Sequence, residues 1–248
     1  MKRQTLILDL DDTLIHCNKY FRDAVNHFAS QLQEWFPKLT KKEIKEKQLE
    51  IDIKSVEKHG LHSSRFPESL ATTYKYFCEV NNRATNEEEI ERVRIIGQEV
   101  FQIEVQPFPS MYEVLQELQS QGHQLYLFTG GDEANQNRKI IQLELETYFE
   151  DRVFIFEHKN TEALKQVLDS INYDKKSTWM IGNSLKTDIQ PAIELGINAV
   201  HIPAELEWTF NNSFEIKEDS TSNFYTLKTL KDVPRFIREH AKYDREAI

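Results

Sequence analysis

Apolar positions along this chain follow two rhythms. Short runs rich in Leu, Ile, Val and aromatic residues, each closed by residues suited to a turn, read as strands: TLILDL (5–10), QLYLFT (124–129), RVFIFE (152–157), STWMIG (177–182) and NAVHI (198–202). Between the later runs, apolar residues recur at helical spacing. One helix opens at a capping box, Ser110 to Glu113, carries Val114, Leu115 and Leu118 on one face and closes at Gly122. Another follows Lys159 with Ala163, Leu164, Val167 and Leu168. Strand, helix, strand in this order means parallel strands joined by right-handed crossovers, an α/β fold with a Rossmann-like parallel sheet. Such sheets bind ligands at the carboxyl ends of their strands.

Residues 17–104 break that alternation. Helical patterns run through Phe21, Val25, Phe28, Leu32 and Trp35, then from a capping box at Thr40 and Glu43, then through Leu70, Tyr74 and Phe77, and finally from Thr85 and Glu88 into Ile90, Val93 and Val100. The expected organisation is an all-α domain at 17–104 inserted into an α/β core formed by 1–16 and 105–248. The insertion leaves the core directly after the first strand, so it sits over that strand's carboxyl end. The last 30 residues, with NFYTLKTLKDVPRFIREH, predict a short strand and a closing helix.

Composition narrows the partners. A formal net charge of -10 argues against non-specific binding to nucleic acid or to an anionic membrane. Cys17 and Cys78 make neither a disulfide framework nor a metal motif, and Asp9 and Asp11 interrupt the only N-terminal apolar run, so a reducing cytoplasm is the expected setting. No segment approaches the about 18 apolar residues of a membrane span.

The candidate chemistry lies at the strand ends. Asp9 and Asp11 close the first, Thr129 closes the second in FTGGD, Lys159 follows the third in EHKN, and Asn183 with Asp188 follows the fourth in GNSLKTD. Unpaired carboxylates are costly to bury and must meet solvent or a cation. In a strand, Asp9 and Asp11 share a face, so two acids can serve one reacting group. One can attack phosphorus while the other passes a proton to the leaving oxygen and later takes one from water. Mg2+ would offset the repulsion between carboxylates and phosphate, and Lys159 with the Thr129 hydroxyl would hold phosphate oxygens. Gly130 and Gly131 allow backbone N–H groups to approach an oxyanion.

Taken together, DLDDTL (9–14), Thr129, Lys159 and GNSLKTD (182–188) resemble the four ordered motifs of the haloacid dehalogenase (HAD) superfamily, spanning about 180 of 248 residues. The resemblance implies a phosphoric monoester hydrolase acting through an aspartyl phosphate, with Asp9 as nucleophile, Asp11 as general acid/base and Thr129 and Lys159 as phosphate ligands. It also implies Mg2+ held by Asp9, Asp11 and Asp188, and the helical insertion is similar to a C1 cap, which goes with a small phosphorylated metabolite as substrate. Asn183 stands where many family phosphatases have Asp; its amide oxygen can still bind Mg2+, with one charge fewer in the site.

Lys175 and Lys176 precede the fourth strand and fall at the wrong sheet edge to replace Lys159. Asp12 suits a turn or helix start and Asp132 a helix N-cap. His59, His62, Arg65 and Arg83 suit substrate contacts, but a solvated helix face explains them equally well and they are left out of the site; Trp35, Tyr74 and Phe77 suit the insertion's own core. HIPAELEWTF (201–210) predicts a loop near the site. The alternatives are a phosphomutase or phosphonate hydrolase of the same superfamily, a dehalogenase, or a degenerate member that binds a phosphorylated ligand without turnover.

Overall fold

All five strands form, and so does the short strand expected near the C-terminus. They are β1 (Thr5–Leu8), β2 (Gln124–Gly130), β3 (Val153–Phe156), β4 (Thr178–Gly182), β5 (Asn198–His201) and β6 (Phe224–Thr226). The computed structural model describes residues 2–212 and 223–243; residues 213–222 and 244–248 of the expected core lie outside the described residues. The strands make one sheet in the order β3-β2-β1-β4-β5-β6, and each neighbouring pair is parallel.

The helices are α1 (Asn18–Trp35), α2 (Lys41–His59), α3 (Arg65–Val80), α4 (Glu87–Glu99), α5 (Met111–Ser120), α6 (Glu133–Gln142), α7 (Glu146–Phe149), α8 (Thr161–Ser170), α9 (Gln190–Leu195) and α10 (Val233–Tyr243). Strand side chains alternate between two buried faces. Leu6, Leu8, Leu125, Leu127 and Ile181 pack with Leu115 and Leu118 of α5 and Ile237 of α10. Ile7, Tyr126, Phe128, Met180 and Ala199 pack on the opposite face with Leu164 and Val167 of α8 and Ala192 of α9. Helices on both sides explain why the strands read as continuous apolar runs.

Helices α1 to α4 follow β1 and share a separate cluster built from Phe28, Leu32, Ile44, Leu70, Tyr74, Phe77 and Val93, with Trp35 packed against it. Trp35, Tyr74 and Phe77 therefore serve the segment's own core. The Thr40–Glu43 capping box forms in both directions. Two other expected caps do not. Ser110 has near-helical backbone angles, φ -103° and ψ 4°, which keep its hydroxyl from the exposed N–H groups. The cap of α4 is Asn86, not Thr85; extended at φ -121°, it accepts from Glu88 N at 2.8 Å and Glu89 N at 3.3 Å.

The loop between α2 and α3 joins the helical segment to the sheet edge. Leu61 N donates to Glu157 O at 2.7 Å and Ser63 N to the Asp132 carboxylate at 2.8 Å. Gly60 opens this loop at φ +80°, and a Cβ there would lie 2.9 Å from Glu157 O. Only glycine combines that backbone angle with so close an approach.

Candidate active site

From β1 the chain crosses to β2 and β3 on one side, then returns to β4 on the other. The strand order thus reverses at β1, the position where open α/β sheets leave a crevice. Asp9 stands at this point. Its backbone prolongs the pairing of β1 with β4, Asp9 N donating to Ile181 O at 2.9 Å, and its side chain is buried. The Lys159 ammonium makes a short ion pair with one Asp9 oxygen and lies 2.5 Å from Asp188 Oδ1. Thr13 Oγ1 faces the other Asp9 oxygen at 2.9 Å and Asn183 Oδ1 at 3.4 Å. Asp9, Lys159 and the turn that carries Asn183 and Asp188, widely separated in sequence, are therefore brought together.

Burial pushes the Asp9 carboxyl up to about 7; the Lys159 ammonium opposes the rise and the Asp188 charge adds to it. Burial alone would depress Lys159, but Asp188 and Asp9 hold it above the ordinary ammonium range.

Asp11 is arranged differently from the strand-face expectation. The strand ends at Leu8, and Asp11 falls in a tight turn in which Asp12 takes the left-handed conformation at φ +58°. That turn aims the Asp11 carboxylate at α6, where Lys139 Nζ lies 2.8 Å from both oxygens and Gln136 Nε2 donates at 3.0 Å. Burial would raise this carboxyl, but Lys139, Gln136 and Cys17 together hold it below the ordinary range. Asp12 starts α1, its carboxylate accepting from Cys17 N at 3.0 Å and Asn18 N at 2.9 Å.

After β4 the chain makes a π-helical turn, Leu185–Ile189, an irregularity that recurs at functional sites. It folds Asp188 back over Gly182, where a Cβ would collide with the carboxylate. Ser184 N donates to Asp188 Oδ2 at 2.9 Å. His201 Nε2 pairs with Asn183 O at 2.9 Å and braces the same turn from β5.

A cavity of about 420 Å3 opens over these groups and reaches the helical segment. Asp9, Asp11, Gly130, Lys159, Asn183 and Asp188 line it. Leu206, Glu207 and Trp208 line it too, so the 201–210 loop does reach the site. Thr129 does not line it: the residue is fully buried, and its hydroxyl sits 2.6 Å from Gln136 Nε2. Asp132 caps α6 as expected, accepting from Asn135 N at 2.9 Å.

The sequence reading missed Thr13, Gln136 and Lys139. Thr13 lies within DLDDTL itself. Gln136, Lys139 and Ile140 occupy the inward stripe of α6 at helical spacing, so two long polar side chains on a buried face were the available signal.

The donors around Asp9 suit a hard cation. Asp9, Asn183 and Asp188 offer oxygen only, and Asp188 Oδ1, though close to the Lys159 ammonium, is buried without a well-directed hydrogen bond. Among the described residues no three His, Cys, Asp or Glu side chains gather into a ready-made metal cluster, since Asp11 is turned to Lys139. The fit is to a cation held by two carboxylates and an amide.

A doubly covered parallel sheet with acids and a buried lysine at its switch point defines an α/β protein with a charged site at the carboxyl ends of its strands. Residues 4–196 match the model of the haloacid dehalogenase-like hydrolases, and the chain belongs to that family. A glyceraldehyde 3-phosphate phosphatase of Methanocaldococcus jannaschii is 25% identical over 142 residues, which are 56% of this chain and 59% of that protein. One of Pyrococcus abyssi is 30% identical over 97 residues, 37% of this chain and 40% of that protein. The chain thus spans less than two thirds of the curated relatives it matches. A haloacid dehalogenase-like hydrolase from Xanthomonas campestris superposes with a TM-score of 0.79 at 21% identity, over 98% of this chain and 99% of that one. A Bacillus subtilis HAD hydrolase solved with bound magnesium gives 0.62 at 19% identity, over 96% and 100%. At these identities the structures share the fold.

Proposed function

We propose that this protein is a Mg2+-dependent phosphatase of a small phosphorylated metabolite, working through an aspartyl phosphate. The observation that carries the reading is the buried grouping of Asp9, Lys159 and Asp188 at the switch point, open to one cavity. Relatives named as phosphatases support it.

An Asp9 oxygen attacks phosphorus; the new O–P bond forms as the ester P–O bond breaks, and Asp11 gives its proton to the leaving oxygen. Water then attacks the phosphorus of the aspartyl phosphate, Asp11 takes its proton, and inorganic phosphate leaves with Asp9 restored. Lys139 keeps Asp11 ionised before substrate arrives, the form suited to the hydrolytic step; the charge of an arriving phosphate raises its pKa toward the form that donates. Lys159 and the backbone at Gly130 hold the transferring oxygens, while Gln136 fixes the Thr129 hydroxyl behind them. Asp9, Asp188 and Asn183 would hold Mg2+, which would supply charge neutralisation for the approach of carboxylate to phosphate. Residues 17–104 act as the cap that excludes water.

Cys17 and Cys78 are free, and among the described residues no helix is long and apolar enough to cross a membrane; we assign the protein to the cytoplasm on the unpaired thiols.

Hydrolysis of p-nitrophenyl phosphate tests the reading. Activity should require Mg2+, disappear in EDTA and be abolished by Asp9→Asn with the fold retained. Turnover by Asp9→Asn at the parent rate removes the nucleophile assignment. Asn183, with one charge fewer than an acid, favours the rival of a ligand-binding protein without turnover, which shows no metal-dependent rate at all.

A further inference from the structure

The cavity continues past the position of a transferring phosphoryl group onto a wall formed by the helical segment, largely apolar through Phe21, Val25, Val56 and Phe66. The formally charged lining residues of that segment are three cations, Arg22, Lys45 and Arg65, against one acid, Asp52. This positive bias stands out in a chain of net charge -10. Arg22 is exposed and bonds Asp23 at 3.2 Å, and Lys45 donates to Asn26 Oδ1 at 2.5 Å.

Arg65 differs from both. It is partly buried, its Nε is shut off from solvent without a hydrogen bond, and among the described residues its guanidinium has no ion pair. Arg83 Nη1 and Arg138 Nε are enclosed without a partner too, but each of the other partly buried arginines is held by at least one side-chain bond, Arg83 to Glu89, Arg94 to Glu68, Arg138 to Ile103 O and Arg152 to Leu125 O, and among the described residues Arg65 has none. Arg65 lines the cavity with no protein partner on its guanidinium, so its donors remain available to an acceptor that a ligand brings. A guanidinium presents a planar fork that matches a carboxylate or phosphate. Its placement is fixed by the 60–64 loop. Leu61 reaches so near the phosphate end that a Cβ on Gly130 would lie 2.6 Å from Leu61 Cδ1 and 3.5 Å from Lys159 Cβ. Arg65 follows four residues later as the first residue of α3.

We propose that Arg65 receives a second acidic group of the substrate, so that the metabolite is a phosphomonoester bearing a carboxylate or another phosphate at its far end. The inference rests on the phosphatase reading above and names the substrate class of that site.

The test compares kcat/KM for two acidic esters, 3-phosphoglycerate and fructose 1,6-bisphosphate, with two esters lacking the second acid, glycerol 3-phosphate and fructose 6-phosphate. The full chain with Mg2+ should prefer at least one acidic ester to its counterpart, and Arg65→Gln should lower that ratio by at least about tenfold. Arg65→Lys, which keeps the charge without the fork, should fall between and serves if Arg65→Gln does not fold. The ester that loses its advantage tells carboxylate from phosphate. No acidic preference in the parent, or a ratio unchanged by both variants, overturns the inference while p-nitrophenyl phosphate turnover leaves the phosphatase reading standing. If no ester including p-nitrophenyl phosphate is hydrolysed, the phosphatase reading fails. Calorimetric titration of the same two acidic esters into parent and variants then decides the anion site: weaker binding by the variants supports it, and equal or absent binding overturns it.

Discussion

Replacing Lys139 by Met removes one half of the ion pair that holds Asp11. The side chains are 7% and 23% exposed, and the ammonium sits 2.8 Å from both carboxylate oxygens, so solvent screens the pair weakly. Removing one partner of a buried pair leaves the other charge uncompensated, at a cost of about 3–5 kcal/mol. Gln136 still donates to Asp11 at 3.0 Å and part of the carboxylate keeps solvent, which places the loss near the lower end, about 3 kcal/mol. With a urea slope of about 3 kcal/mol/M for a chain of this size, the unfolding midpoint should fall by about 1 M. The assay is urea denaturation followed by circular dichroism at pH 7 in EDTA, for the parent, Lys139→Met, Asp11→Asn and the double variant. The double variant has no stranded charge, so the combined loss should be smaller than the sum of the single losses by about 2 kcal/mol. A Lys139→Met midpoint within about 0.2 M of the parent, or strictly additive losses, would refute the account of Asp11 as a buried paired carboxylate.

Stability should also fall as pH drops from about 6.5 toward 4 through His123. Burial lowers its pKa to about 4, Nδ1 accepts from Gln4 N at 3.1 Å and Nε2 is enclosed without a partner. The unfolded chain binds this proton first, so the contribution is complete above about 6.5 and lost on acidification, up to about 3 kcal/mol, and His123→Gln should flatten that part of a plot of urea midpoint against pH. Gly182→Ala should displace Asp188, lowering the thermal midpoint and removing Mg2+-dependent phosphatase activity together; a fully active, equally stable variant contradicts the packing at that turn. Asn86→Ala should cost about 1 kcal/mol in urea denaturation while Thr85→Ala stays within about 0.5 kcal/mol, and the reverse ranking would restore Thr85 as the cap.

The rhythm of apolar residues determined the strands, the helices of 17–104 and the edge of the sheet on which Asp9, Lys159, Asn183 and Asp188 meet. These properties are legible because side-chain periodicity and turn chemistry are local, and because parallel crossovers send every strand's carboxyl end the same way. Caps were only partly legible: Thr40 and Asp132 behave as their types suggest, but the cap of α4 moved one residue to Asn86 because backbone angle, not residue type alone, decides which side chain reaches the open N–H groups. The tertiary structure alone decided the partners of each acid. Asp11 pairs with a lysine 128 positions away because its strand stops at Leu8 and the left-handed turn at Asp12 redirects the carboxylate. Thr129 is held behind Gln136, and Arg65 is left with an unpaired guanidinium on a cavity wall, because α6 and the 60–64 loop pack against strand ends far from them in the chain. Such contacts depend on how elements dock in three dimensions, and no local period in the chain records that docking.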